Sequence, residues 1–543
     1  MRLVSVDQMI ALEKEADASG VSYTQMMHNA GTGLVNLIRA RYAALENPVV
    51  LGLVGAGNNG GDTLVALSEL ADLGWETYAY LVKPRPSSDD LARHYLKSGS
   101  ILIKEKEDID LSKLNVLLGK AHILLDGVLG TGIKLPLTDR VAQILKYCQE
   151  YTERPFTIAV DCPSGVDCFT GSAASECIPA DLTVCMGAVK NGLLRFPAFQ
   201  YVGDLSTVEI NLSEDLKAWG DNQDEVLDVE MIKKLIPPRP SDAHKGTFGT
   251  SMIVAGSTNY AGAVLMAGMA AYRIGAGLVR IAIPGHLYSA LVGHLPEATW
   301  LLLPHSDGVL HQDGVDLLTK NLEKVSSILL GPGWGMEETT QRFLEKFLTH
   351  AGKASPRSLM GFSEPKSSKS TDRVVQIPPM VVDADGLKLL ANIKGWSNLL
   401  PKRCILTPHM GEMATLTGLD IASIQTDRIE IARKYSSQWG HILVLKGALS
   451  IVAHPDGYIW IVPVATPALA RAGTGDVLAG MITGLCAQGL NPFHAAAVGA
   501  WVHAQAGLIA AEWLGSTASV LAEDVIEAIP EVLCNLENKN RRL

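Results

Sequence analysis

Short apolar runs, most of them closed by glycine, aspartate or proline, recur along the whole chain. In its first part they read VVLGLVG, TYAYLVK, HILLDGV, FTIAVDC and LTVCMGA. Such runs are too short for helices and lack the alternation of a strand with one wet face. The pattern therefore predicts strands buried on both sides. Residues 62–73 and 137–149 carry helical spacing between some of these runs, which predicts a parallel sheet with helices on both faces.

After LSTVEINL the chain turns charged and irregular over residues 213–246 and contains Pro-Pro-Arg-Pro, a pattern that predicts a linker. A second series follows: TSMIVAGS, LVRIAIP, SSILLGPG, PMVVDAD, CILTPH and ILVLKG. LSIVAHPDGYIWIVP closes it, with Pro-Asp-Gly as a hairpin turn. Helices are expected over 262–275, 411–416, 475–488 and 492–514. The polar, serine-rich stretch 351–372 is expected to be a mobile surface insertion.

A length of 543 residues exceeds one ordinary core. With the charged piece as divider, the reading is two α/β domains, 1–225 and 226–543. Net charge is −11 with no basic stripe, which argues against nucleic acid as a partner. The 8 cysteines form no C-x-x-C pair and read as reduced thiols of a cytoplasmic protein. Acidic residues occupy the amino-terminal stretch where a signal peptide has its apolar core. The longest apolar stretches, 477–490 and 495–514, are too short for a membrane span or carry His503 and Gln505.

Chemistry concentrates where the apolar runs end. VGAGNNGGD has the G-x-G-x-x-G spacing of a dinucleotide loop, but the second strand ends in Lys83, Pro84 and Arg85 rather than in the acid that holds a ribose. Glu76 precedes that strand. DGVLGTG places Asp126 at a strand end, and AVDCPSGVD places Asp161, Ser164 and Asp167 at another. Carboxyl ends of parallel strands share one edge, so Asn59, Asp126 and Ser164 can converge on a cation while Asp161 faces a substrate. Each residue alone reads equally as a cap or turn former; three such loops on one edge favour a site.

SYTQMMHNAG, GNNGGD, DGVLGTG and DCPSG closely resemble the NAD(P)H-hydrate epimerases over about the first 215 residues. The resemblance implies a Rossmann-like three-layer sandwich that interconverts the epimers of a nicotinamide nucleotide hydrated at C6. It implies ligand contacts from Asn58, Asn59, Gly60, Gly61 and Asp62, and from Gly130, Thr131, Gly132, Ile133, Lys134, Leu135 and Pro136. By the same resemblance Asn59, Asp126 and Ser164 hold a potassium ion, and Asp161 contacts substrate and handles a proton. Thr63 departs from the family, which usually has glycine there; a shifted helix start is the expected consequence.

In the second half, ARAGTGDVLAG sets Gly473, Thr474 and Gly475 before an apolar helix whose N–H groups and dipole can receive an anion. Asp476 follows in the first turn, either as a cap or as a base beside that anion. Lys446 ends LVLKGA, and His409 and Glu412 follow a strand in TPHMGE; GPGWG forms a tight loop, and His244 and Lys245 precede the first strand.

HKGTFG, AGS, GAGLV, GPGWG, DADGL, TPHMGE, LKGA and AGTGD resemble, in that order, the ADP/ATP-dependent NAD(P)H-hydrate dehydratases of the ribokinase-like superfamily, over about residues 226–535. The resemblance implies a ribokinase-like α/β sandwich. Lys446, Gly447, Ala448, Leu449, Ser450 and Gly475 then bind ADP or ATP with magnesium, and Ala263, Gly333, His409 and Asp476 bind the hydrate, with Asp476 as base. TPALARAG stands where family members often carry an asparagine.

Together the halves resemble the bifunctional NAD(P)H-hydrate repair enzymes, which implies small-molecule partners (NADH-hydrate, NADPH-hydrate, ADP or ATP) and homo-oligomers. The alternatives are a ribokinase-like vitamin kinase with a non-catalytic amino-terminal binding module and, last, an oxidoreductase.

Overall fold

The computed structural model describes residues 1–42, 45–350 and 377–537. It divides into two compact units, Met1–Val226 and Leu227–Leu543. The serine-rich stretch 351–372 lies outside the described residues.

In the first unit Val49–Val54 lies inside a seven-stranded sheet. Glu76–Leu81 and then Ile101–Lys104 extend it on one side. Ile123–Gly127, Phe156–Val160, Leu182–Met186 and Asp204–Val208 extend it on the other, and every pairing is parallel. The chain runs outward from Val49–Val54, returns, and runs outward the other way. Its reversal lies between the carboxyl ends of Val49–Val54 and Ile123–Gly127, where open α/β sheets take their ligands.

Alternate residues of the buried strands serve opposite layers. Val50 and Val54 join a core with Leu12, Leu34, Ile38, Leu64 and Leu67 of the helices Val6–Ala18, Tyr23–Arg41 and Asn58–Asp72. Leu51 and Leu53 join the opposite one with Leu114, Leu118 and Ile144 of Ser112–Lys120 and Asp139–Gln149. The result is a three-layer, Rossmann-like sandwich. A separate two-stranded pair sets Leu3–Val4 parallel to Val189–Lys190.

The charged piece is not the linker its composition predicts. Trp219 is buried in the first unit's core, and Val229–Leu235 is a helix that sinks Ile232 into the second. Apolar residues spaced among the acids carry the packing, and the boundary between units falls inside the piece.

The second unit's sheet runs in the order Ile459–Ile461, Ile451–Ala453, Ile442–Leu445, Ile405–Leu406, Met380–Val382, Ser327–Leu330, Thr250–Val254, Leu278–Pro284 and Thr299–Leu303. It is parallel except for the hairpin. Thr474–Ala487 shares one core with Gly262–Arg273, Pro492–Leu514 and Ala522–Glu537. A Cβ on Gly480 would lie 2.2 Å from the Ala267 carbonyl oxygen, so only glycine allows the close crossing of the helices Thr474–Ala487 and Gly262–Arg273. Among the described residues no helix is long and apolar enough to cross a membrane.

Candidate active sites

The first unit's glycine loop turns directly into the helix Asn58–Asp72, which starts ahead of the position its periodicity predicts. Gly60 makes the tight turn possible: a Cβ there would sit 2.1 Å from the Gly55 carbonyl oxygen. The first amides of the helix have no intrahelical partner and open at the sheet's reversal point, which makes them anion receivers. Arg85 explains the missing ribose acid, because its guanidinium clamps the loop at Gly55 O (2.7 Å) and Gly57 O (3.2 Å). Thr63 lies inside the helix, past its first turn. Its hydroxyl donates to Asn59 O at 2.7 Å and fills the space that Gly127 leaves without a side chain.

Asn59, Asp126 and Ser164 come together. Asn59 Nδ2 donates to Val160 O at 2.7 Å, and Gly130 lies against the Asn59 amide. The fully buried Asp126 accepts Ser164 N–H on Oδ2 at 2.8 Å, while Ser164 Oγ accepts Leu129 N–H at 2.9 Å. Asp126 Oδ1 is buried with no hydrogen-bond partner, and burial pushes its carboxyl up while the Ser164 donors pull against it. An orphaned carboxylate oxygen among neutral oxygen donors fits a bound cation. Asp167 is a turn former instead: its carboxylate accepts Phe169 N–H at 2.9 Å and Thr170 Oγ–H at 2.7 Å.

Asp161 follows the strand Phe156–Val160 with a left-handed φ of 68°. Its Oδ1 accepts Met186 N–H at 2.9 Å and the ammonium of Lys190, a side chain the sequence reading missed. Lys190 is 1% exposed. Burial works against its charge, yet the Asp161 carboxylate outweighs burial and the ammonium titrates above the ordinary lysine range. Met186, whose N–H holds Asp161, also lines a cavity of about 130 Å³ together with Glu13, Tyr23, Met27, Asn58 and Asp62, and neither Asp161 nor Lys190 belongs to that lining. The loop 130–136 is not part of its lining.

The second unit holds a cavity of about 550 Å³. Its lining includes Lys446, Gly447, Ala448, Ser450, Gly475 and His409, and its apolar wall includes Val462, Leu469 and Leu478. The chain reverses sharply here, with φ 143° at Gly447 and 57° at Leu449. Arg428 braces the loop by donating to Ala448 O, and its burial lowers the guanidinium to about 10. His409 caps the helix Met410–Thr417, its Nδ1 accepting Gly411 N–H at 2.9 Å.

Lys446 Nζ lies 2.6 Å from Asp383 Oδ1 and 3.7 Å from Glu412 Oε2. Asp383 also accepts Thr407 Oγ–H at 2.7 Å, while its Oδ2 is buried without a partner. Burial first, then the Asp383 carboxylate, pushes Asp476 up to about 7, with Lys446 pulling against them. Asp385, another contributor, accepts Gly335 N–H at 3.0 Å and so ties the cluster to the GPGWG loop. Gly333 and Ala263 meet on that side: a Cβ on Gly333 would sit 3.1 Å from Ala263 Cβ.

Within this chain His244 and Lys245 stay apart from the cluster. Their segment ends at Gly249, against Ala487, at the far end of the helix that begins at Thr474. Fourteen residues of helix span about 21 Å. Thr466, Leu469, Ala470 and Arg471 of TPALARAG do line the large cavity, and so does His503. His503 is 7% exposed, its Nε2 has no partner, and burial drives its imidazole down to about 4, so it is neutral. Arg428 and His503 escaped sequence reading because neither stands in a glycine-flanked motif, and Asp383, though it opens DADGL, was given no role there.

Two α/β units, each with a glycine loop opening a helix beside a lysine–aspartate ion pair, define a two-site enzyme handling phosphate-bearing ligands. The family described as YjeF-related protein N-terminus matches residues 23–192, and that described as NAD(P)H-hydrate dehydratase matches 251–353 and 364–531. The Bifunctional NAD(P)H-hydrate repair enzyme Nnr of Moorella thermoacetica is 34% identical, over 99% of this chain and 98% of its own. Its namesake from Escherichia coli is 30% identical, over 96% of this chain and 92% of its own. A crystal structure of ADP/ATP-dependent NAD(P)H-hydrate dehydratase from Bacillus subtilis, co-crystallised with ATP and Mg²⁺, is 29% identical and covers 58% of this chain and 99% of that one, with a TM-score of 0.46. The chain belongs to the family of bifunctional NAD(P)H-hydrate repair enzymes: its amino-terminal half is the epimerase and its carboxyl-terminal half the dehydratase.

Proposed function

We propose that the first site interconverts the R and S forms of NADH-hydrate or NADPH-hydrate. The second dehydrates the S form with ADP or ATP, releasing phosphate and AMP or ADP. Asn58 to Asp62 and Gly130 to Pro136 receive the nucleotide in the first site, and Asp161 handles the proton. Asn59, Asp126 and Ser164 would hold potassium, whose charge would offset the carboxylate and steady the ligand's anionic part; the orphaned Asp126 Oδ1 supports this set. The chain works as a cytoplasmic homo-oligomer.

In the second site Lys446 to Ser450 and Gly475 take the nucleotide, and Ala263, Gly333, His409 and Asp476 take the hydrate. Magnesium travels on the phosphates, as it usually does, with Asp383 and Glu412 as the protein oxygens that would meet it. Asp476 accepts the C6 hydroxyl proton as the phosphoryl group is transferred; loss of phosphate then restores the dihydropyridine. One observation carries this reading: Asp476 titrates at about 7 beside Lys446, the match to working pH that a general base needs.

The test supplies magnesium, potassium and ADP, then ATP, to mixed epimers and follows the near-ultraviolet absorbance of the dihydronicotinamide, with Asp161→Ala run in parallel. The expected result is nucleotide-dependent recovery of the whole signal, slowed in its second half by that variant. A stable phosphorylated product without recovery overturns the dehydratase assignment in favour of a kinase.

A further inference from the structure

Glu13, Tyr23 and Asp62 line the first unit's cavity, and Asp161 is held at its Met186 wall by the Met186 N–H. Asp161 is well supplied with donors, since a backbone N–H and a buried ammonium both donate to it. Asp62 is the opposite case. It is 6% exposed, it lines the cavity, and among the described residues nothing donates a hydrogen bond to its carboxyl. Its charged neighbours are Asp161, Glu13 from the helix Val6–Ala18, and Lys190. Two of the three repel a second negative charge, and the ammonium is already engaged by Asp161. A carboxylate that is buried, undonated and flanked by like charge keeps its proton instead. Burial, then Asp161 and Glu13, push Asp62 well above the usual carboxylate range, in agreement with this geometry. Tyr23, from the helix Tyr23–Arg41, closes the same cavity.

We propose that Asp62 is a second catalytic residue of epimerisation, the acid facing the base Asp161, and that Lys190 is the positioning residue that keeps the two in opposite protonation states. This rests on the assignment of the cavity as the epimerase site. Asp62 gives its proton to the C6 hydroxyl oxygen as the C6–O bond breaks. The ring-nitrogen lone pair forms the C=N bond, and water leaves. A water then adds to the opposite face of C6: its oxygen makes the new C–O bond, the C=N pair returns to nitrogen, and its proton goes to Asp161. A proton passes back from Asp161 to Asp62 through pocket water, favoured by Lys190, whose charge stabilises ionised Asp161. Nothing is oxidised or reduced, and the cycle closes.

The experiment follows both epimers by proton NMR without nucleotide, after subtraction of the spontaneous rate. It compares wild type, Asp62→Asn, Asp62→Glu and Lys190→Gln across pH, with melting curves for each. Asp62→Asn is expected to lose about 100-fold in kcat with KM within a few-fold, and to lose the fall in rate at alkaline pH that marks an acid giving up its proton. Asp62→Glu is expected to keep that alkaline limb at a shifted position, which preserves the test if the asparagine variant does not fold. Lys190→Gln is expected to move the pH profile rather than only scale it. Asp62→Asn with kcat within threefold of wild type, or with its whole deficit in KM, makes Asp62 a binding residue and overturns the proposal. Absence of epimerisation by wild type overturns the site assignment itself.

Discussion

Both units set a lysine, buried in the first and half-buried in the second, against a strand-end aspartate, and both set a second aspartate in the opening turns of the helix that follows a glycine loop. In the first unit these are Lys190, Asp161 and Asp62; in the second, Lys446, Asp383 and Asp476. In each case burial and the partner carboxylate raise the loop aspartate. The lysines differ. Lys190 lines no cavity among those described and is enclosed by Asp161 and the Met186 carbonyl, 3.3 Å away. Lys446 lines the large cavity, with two carboxylates behind it. Under the proposed assignment the same triad is used inward in one unit, to fix a base, and outward in the other, where an ammonium would meet phosphate. Phosphoryl transfer needs a cation at the ligand, and epimerisation does not.

Removing the loop aspartates tests this parallel most severely. Asp476→Asn is expected to lower dehydratase kcat by about 10²–10⁴ while epimerisation is untouched. The same variant melts later than wild type at pH 8. Wild-type Asp476 ionises near 7 when folded and near the usual carboxylate value when unfolded. Between those values the folded state binds more protons, so stability falls as pH rises and the deficit is complete above about 7. Asparagine has no charge to bury, and calorimetry at pH 5 and pH 8 should show its advantage growing from the lower pH to the higher.

Removing the lysines should separate the units. Lys190→Met strands a buried carboxylate and is expected to destabilise the first unit by about 3–5 kcal/mol in denaturant unfolding. Lys446→Met lies at the cavity and should act first on nucleotide affinity, read by calorimetric titration with ADP. Next in size, dehydratase kcat/KM for wild type should rise with pH through about 7 and then level, as a base titrating there requires. His503→Ala should weaken ADP binding by roughly tenfold, the value of about one hydrogen bond from a buried group. The smallest effect is Thr63→Ala, which removes the bond to Asn59 O at a cost of about 1 kcal/mol with little change in rate.

The strands were legible because burial on both faces leaves unbroken apolar runs, and most of the candidate site residues because they stand where those runs stop. Ile101–Lys104 is only partly buried and carries no such run, so it gave no signal. Lys190 sits in MGAVKNGLL, where a lysine reads as a surface residue, and only the fold shows its ammonium turned onto Asp161. Asp383 stood in a recognised strand end, yet its bond to Lys446 joins residues 63 positions apart, beyond any local pattern. Glu13 belongs to an amphipathic helix whose cavity-facing side is defined by Met186 and Ile210, far along the chain.

The parallel pair of Leu3–Val4 with Val189–Lys190 makes the chain's opening residues the anchor of a buried charge they never touch. A protease that trims those residues would unseat Lys190 while the second unit's large cavity, lined by residues beyond 400, stayed whole. Such a clipped molecule would still clear one epimer of the damaged cofactor. The other form would then be drawn down only as fast as it inverts unaided, and half the lesion would persist in a cell whose repair enzyme still scored as active.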